Sequence, residues 1–323
     1  VLEDNVIKHD GKAMPFWSTT FGDAPFGEKS LWISMHGGGG APAEVNTKQW
    51  ENQKKLYTLE EGVYVVPRAP TDTWNMWHQA HIDPMFDQLI QHMIKQKGVD
   101  PNKVYIVGYS AGGDGVYQLA PRIADRFAAA GMMAGHPNET SPEGLRNIGF
   151  ALHVGEEDAA YDRNTIAVTW GEKLDVLHQE NPAGYAHQVV VHKGKGHWMD
   201  RQESAALPWM ATFTRNPYPN KVTWIQDDVL HKQFYWLGVD DPEARTKIVA
   251  SIDGQVITIH ETDVKKMTVY LNDKLVSLDE PIIVQYKDRI ITKVKLIRNR
   301  DIIHKTLRDP KNYYTASYTF ELP

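Results

Sequence analysis

Over its first two thirds the chain alternates short apolar runs with longer stretches of helical spacing, and few folds accommodate that alternation. LWISM (31–35), VYVVP (63–67), VYIVG (104–108), AAAGMMA (128–134), FALHV (150–154) and HQVVVH (187–192) each have the length of a buried strand. TKQWENQKKLYTLE (47–60), PMFDQLIQHMIKQKG (84–98) and RNTIAVTWGEKLDVLHQ (163–179) lie between them and carry helical spacing. Strands that are apolar nearly throughout have no solvent face, so they belong in a mainly parallel sheet covered by helices on both sides. Residues 1–215 are therefore expected to form an α/β domain of three layers.

The pattern changes after TRNPYPN (214–220), a break rich in Pro and Asn. KIVASIDGQVITIHE (247–261), KMTVYLND (266–273), PIIVQYKDRIITKVKLI (281–297) and YYTASYTFEL (313–322) alternate with period two. Asp253-Gly254 reads as a hairpin turn. Residues 220–323 are expected to be an all-β sandwich of immunoglobulin or fibronectin type, without a helix. Its aromatic clusters, TWIQDD and QFYWLGVDD, are expected to pack as core rather than to bind sugar independently.

Composition narrows the chemistry. The formal charge of −6 is spread without a basic run, so nucleic acid and anionic membrane surfaces are not expected partners. No stretch of about 18 apolar residues reads as a membrane span. The absence of cysteine removes disulfides, thiolate metal sites and a thiol nucleophile together. The chain starts at Val1 without a charged or apolar leader, and a mature chain whose targeting segment has been removed is the expectation, placing it in a secreted or periplasmic setting.

Gly-Tyr-Ser-Ala-Gly (108–112) fits G-x-S-x-G, between an apolar run and a helical one. A serine on so tight a turn is lifted clear of the sheet, with the N–H of Ala111 at the helix start pointing where an oxyanion would form. The alternative is a turn that merely reverses the chain. His36-Gly37-Gly38-Gly39-Gly40 follows LWISM and lets backbone amides approach an anion closely. It lacks the Lys-Ser/Thr of a phosphate loop and the spacing of a dinucleotide loop. Gly38 is the expected second donor, with Gly37 and Gly39 as alternatives, and His36 is expected to prop the loop.

A serine hydroxyl needs a base and an orienting acid, in chain order Ser, Asp/Glu, His for an α/β-hydrolase. Asp158, in GEEDAAYDR after FALHV, and His197, in GKGHW after HQVVVH, occupy that order. Glu156, Glu157 and Asp162 compete for the acid role. His187 and His192 lie within a strand run and read as structural. Trp74, Trp77, His78, Tyr109 and Trp198 are expected to line the substrate pocket, with His136 a further candidate. His78, His81 and Asp83 approach a metal spacing but lack a fourth ligand in register, so no metal and no cofactor are expected. Asp114 carries a charge early in the helical run that follows Ser110 and has no role readable from sequence.

Together HGGGG, GYSAGG, GEEDAAYDR and GKGH resemble the α/β-hydrolase superfamily, in the order and spacing of its secreted esterase branch, which includes polyhydroxybutyrate depolymerases and feruloyl or acetylxylan esterases. The resemblance implies a serine carboxylic-ester hydrolase working through Ser110, Asp158 and His197, on acylated or feruloylated polysaccharide fragments or short polyesters. A serine peptidase of the same fold, and an inactive carbohydrate-binding protein on a hydrolase scaffold, are the competing expectations.

Overall fold

The structure, a computed structural model, describes residues 5–322. The chain forms two compact units, one ending at Arg215 and one beginning at Asn216. Among the described residues no helix is long and apolar enough to cross a membrane.

The first unit is built on one eight-stranded sheet: β1 (Val6–His9), β2 (Lys12–Phe21), β3 (Lys29–Met35), β4 (Gly62–Pro67), β5 (Val99–Tyr109), β6 (Ala129–Met133), β7 (Gly149–Gly155) and β8 (His187–His192). Their order is β1-β2-β4-β3-β5-β6-β7-β8. From β4 to β8 the pairing is parallel, and β2 pairs antiparallel with both β1 and β4. The β1–β2 hairpin went unread because its strands are only half-buried; Asp10-Gly11, both at positive φ, makes its turn. β4, β6 and β7 are buried along their whole length, which is why they read as continuous apolar runs.

Helices α1 (Ala43–Gln53), α2 (Ile82–Lys97), α3 (Ala111–Arg122) and α4 (Arg163–Glu180) connect the strands. α1 begins four residues earlier than its spacing suggests and stops at Gln53. The following Tyr57 and Leu59 are buried from an irregular segment, so their apolar character served the core without extending the helix. The sheet brings the carboxyl ends of β3, β5, β7 and β8 to one edge, where open parallel sheets gather their ligands.

The second unit holds two sheets, of four and five strands. Lys247–Asp253 and Val256–Thr262 pair antiparallel across Asp253-Gly254, the hairpin read from sequence. Val256–Thr262 also pairs with Ile282–Tyr286, and that pair is parallel. Trp224, Phe234, Tyr235 and Trp236 are all buried, and Trp224 stacks on Phe234 at 5.9 Å. One expectation needs correction: this unit contains a helix, Arg300–Thr306, capped by the Asn299 side chain, which accepts from the Asp301 N–H. Only Thr306 of its residues is buried, so no apolar stripe announced it.

Candidate active site

Ser110 sits between β5 and α3 with φ 57° and ψ −121°, a strained conformation for any residue with a side chain. Surroundings impose it. Gly108 and Gly112 face each other closely, and a Cβ at Gly112 would meet the Met35 carbonyl of the neighbouring strand. The Ser110 N–H is tied to the Met133 carbonyl at 2.9 Å, so the turn is fixed from both sides. Ser110 Oγ lies 2.9 Å from His197 Nε2, and His197 Nδ1 lies 2.8 Å from Asp158 Oδ2. Asp158 is buried, whereas Glu156, Glu157 and Asp162 are exposed, and Glu156 instead accepts from the Gly194 N–H.

The His197 loop is anchored through Tyr109. Its hydroxyl donates to the His197 carbonyl at 2.8 Å and accepts from the Met199 N–H at 2.9 Å. Burial raises the Tyr109 hydroxyl above its ordinary pKa, which keeps it protonated and able to donate.

The glycine loop is held by Asn46, a residue of α1 that the sequence did not single out. Asn46 Oδ1 accepts from the Gly39 N–H at 2.9 Å, and its Nδ2 donates to the carbonyls of Gly39 and Ala41 and to Asp72. Gly39 is thereby spent as a donor. The N–H groups of Gly38 and Ala111 carry no hydrogen bond among the described residues. A Cβ at Gly38, where φ is +114°, would collide with Asn46 Oδ1. His36 is fully buried: its Nε2 accepts from the Ala69 N–H at 3.1 Å, so Nδ1 holds the proton and donates to the Gly37 carbonyl at 2.6 Å. Burial brings its pKa down to about 4.

Two clefts open on Ser110. One, of about 580 Å³, is lined by Tyr109, His197, Trp198, Gln53, Leu56 and Arg201 among others. The second, of about 510 Å³, is lined by Trp74, Asp114, His136, Asn138, Tyr161 and Arg163. Trp74 and Trp198 are well exposed, at 62% and 51%. Two expectations need correction. Trp77 is fully buried, its indole N–H donating to the His36 carbonyl, because it fills the space behind the glycine loop. His78 lines neither cleft and turns edge-on to Trp74 at 5.5 Å. Asp83 is held by Arg122 through both carboxylate oxygens, which takes it away from His78 and His81 as a ligand.

Asp114, unassigned by sequence, accepts from the His136 N–H at 2.7 Å. Burial raises its pKa to about 6 despite that bond and the neighbouring Arg163. Arg163 and Arg201 were missed altogether. Both are single charges on loops or helix starts, with no local pattern to mark them.

The profile of the dienelactone hydrolase family matches residues 65–234, just over half of the chain. No curated protein matches it. Among solved structures, a thermostable esterase is 16% identical, with 65% of this chain and 62% of that one covered at a TM-score of 0.48. Est1E from Butyrivibrio proteoclasticus is 13% identical over 64% of this chain and 97% of its own, at 0.46. A ferulic acid esterase is 16% identical over 62% and 97%, at 0.42. This chain thus belongs to the dienelactone hydrolase family, an α/β-hydrolase family.

Proposed function

We propose that the protein is a serine carboxylic-ester hydrolase. The observation that carries this reading is the continuous hydrogen-bond chain from Asp158 through His197 to Ser110, on a strained turn beside two uncommitted amides. His197 takes the Ser110 proton as Oγ attacks the ester carbonyl, and the amides of Gly38 and Ala111 hold the oxyanion. Asp158 keeps the Nδ1–H tautomer and stabilises the imidazolium. That imidazolium then protonates the departing alkoxide, and water releases the acyl group by the same route.

The substrates proposed are acylated or feruloylated polysaccharide fragments or short polyesters, met in a secreted or periplasmic setting, without nucleic acid or membrane as partner. The second unit is read as an immunoglobulin- or fibronectin-like sandwich with a stabilising role, since the aromatics of its TWIQDD and QFYWLGVDD segments, Trp224, Phe234, Tyr235 and Trp236, are buried. A fluorophosphonate probe tests the reaction class: it should label the folded protein at Ser110. Ser110→Ala should abolish both labelling and p-nitrophenyl acetate hydrolysis, and an unlabelled wild-type protein would sink the proposal.

A further inference from the structure

The two clefts divide the ester between them, if Ser110 and His197 act as proposed above. His197 lines the larger cleft and not the smaller one. The imidazolium must reach the departing oxygen to protonate it, so the alkoxide leaves on the His197 side. With the carbonyl oxygen directed to Gly38 and Ala111, the acyl substituent is left to the smaller cleft.

That cleft is poorly suited to a plain alkyl chain. Asp114 lines it with one carboxylate oxygen bound to the His136 N–H, while Oδ2 accepts no hydrogen bond among the described residues. Arg163 lines it with a side chain only 13% exposed. Nη1 reaches the Ala160 carbonyl at 3.3 Å and Asp158 at 3.5 Å, the guanidinium lies 4.9 Å over the Tyr161 ring and Nε is sealed from solvent, but Nη2 carries no hydrogen bond among the described residues. An alkyl group seated here would strip water from an acid and a guanidinium without replacing it. A hydroxyl both donates and accepts, and so pairs with each. Trp74, largely exposed, offers a flat face to the carbon skeleton beside it.

We propose that the smaller cleft is the acyl subsite and selects acyl groups that carry hydroxyls, through hydrogen bonds to Asp114 and Arg163. Asp114 starts one helical turn beyond Ser110, its N–H bonded to the Ser110 carbonyl at 3.0 Å, so the acid stands about 6 Å along the helix from the reacting serine. A sugar acid, a short hydroxyalkanoate and a hydroxycinnamate share the required chemistry.

The test uses methyl esters, which hold the leaving group constant, in three pairs: glucuronate against cyclohexanecarboxylate, 3-hydroxybutyrate against butyrate, and 4-hydroxycinnamate against cinnamate. p-Nitrophenyl acetate serves as the reference ester. At least one hydroxylated member should be preferred in kcat/KM by about tenfold, the effect of one good hydrogen bond to a charged group. The pair with the largest ratio identifies the acyl class. Asp114→Asn, which keeps the bond to His136, and Arg163→Lys should each pull that ratio toward one. Ratios within about twofold of one for all three pairs overturn the inference. So does a preference that both variants leave unchanged, or cleavage of the acetate with none of the six methyl esters turned over. A protein that cleaves nothing, acetate included, overturns the ester-hydrolase reading instead, and the subsite with it.

Discussion

The glycine loop and the His197 loop flank the same serine and are held in opposite ways. His36 is fully buried, and its carbonyl, both its ring nitrogens and the Gly39 peptide are bound by groups from Trp77, Ala69 and Asn46 or by the loop itself. The His197 side chain is 43% exposed, and its loop is held at His197 and Met199 by the Tyr109 hydroxyl and at Gly194 and Lys195 by Glu156 and the Glu157 N–H. The difference fits what each loop would contribute to the proposed reaction. An amide acts only through where the backbone stands, with no side chain to steer it, so neighbours must fix the backbone. An imidazole is steered by its own two ring hydrogen bonds and tolerates a looser loop.

The largest expected effect comes from breaking the clamped side. Gly38→Ala forces a side chain into a positive-φ position and against Asn46, and should lower kcat on p-nitrophenyl acetate by about a hundredfold to a thousandfold. A loss under fivefold would take the donor away from Gly38.

Acid should weaken the same side. Folded His36 resists protonation until about pH 4, whereas an unfolded histidine binds its proton below about 6.5. Between those values the unfolded state holds more protons, so stability is complete above pH 6.5 and falls as pH drops toward 4, by about 3 kcal/mol. His153, buried and lowered to about 3, adds to the trend in the same direction. Urea midpoints at pH 7, 5.5 and 4.5 measure it, and His36→Gln should flatten the curve; an unchanged slope would deny the buried neutral imidazole its part.

Asn46→Ala removes the clamp without touching the reacting atoms. It should cut kcat by about thirtyfold, equivalent to about 2 kcal/mol, with KM little changed. A change confined to KM would mean that Asn46 shapes the cleft rather than the amides. Least of all, Tyr109→Phe frees the His197 loop and should cost a few-fold in kcat, about 1 kcal/mol. If it exceeds the Asn46→Ala loss, the contrast between the loops is reversed.

Much of the site was legible because its demands are local. Gly108 and Gly112 flank Ser110 within one turn, Asp158 follows the buried strand β7, and His197 follows the half-buried β8 within five residues. Trp74 and Trp77 show where such reading stops. They stand three residues apart on one turn with similar neighbours, yet one is 62% exposed at a cleft and the other is sealed behind the glycine loop.

By itself the sequence determined the alternation of strand and helix, the strained serine turn, and the order of serine, acid and histidine, because each depends on residues within a few positions of one another. Only the tertiary structure decided that Asn46 reaches back from α1 to hold Gly39, that Trp77 turns inward, and that Asp114 meets Arg163 across a cleft. Those pairings join segments separated along the chain, and only the packing of helices against the sheet sets which of them meet.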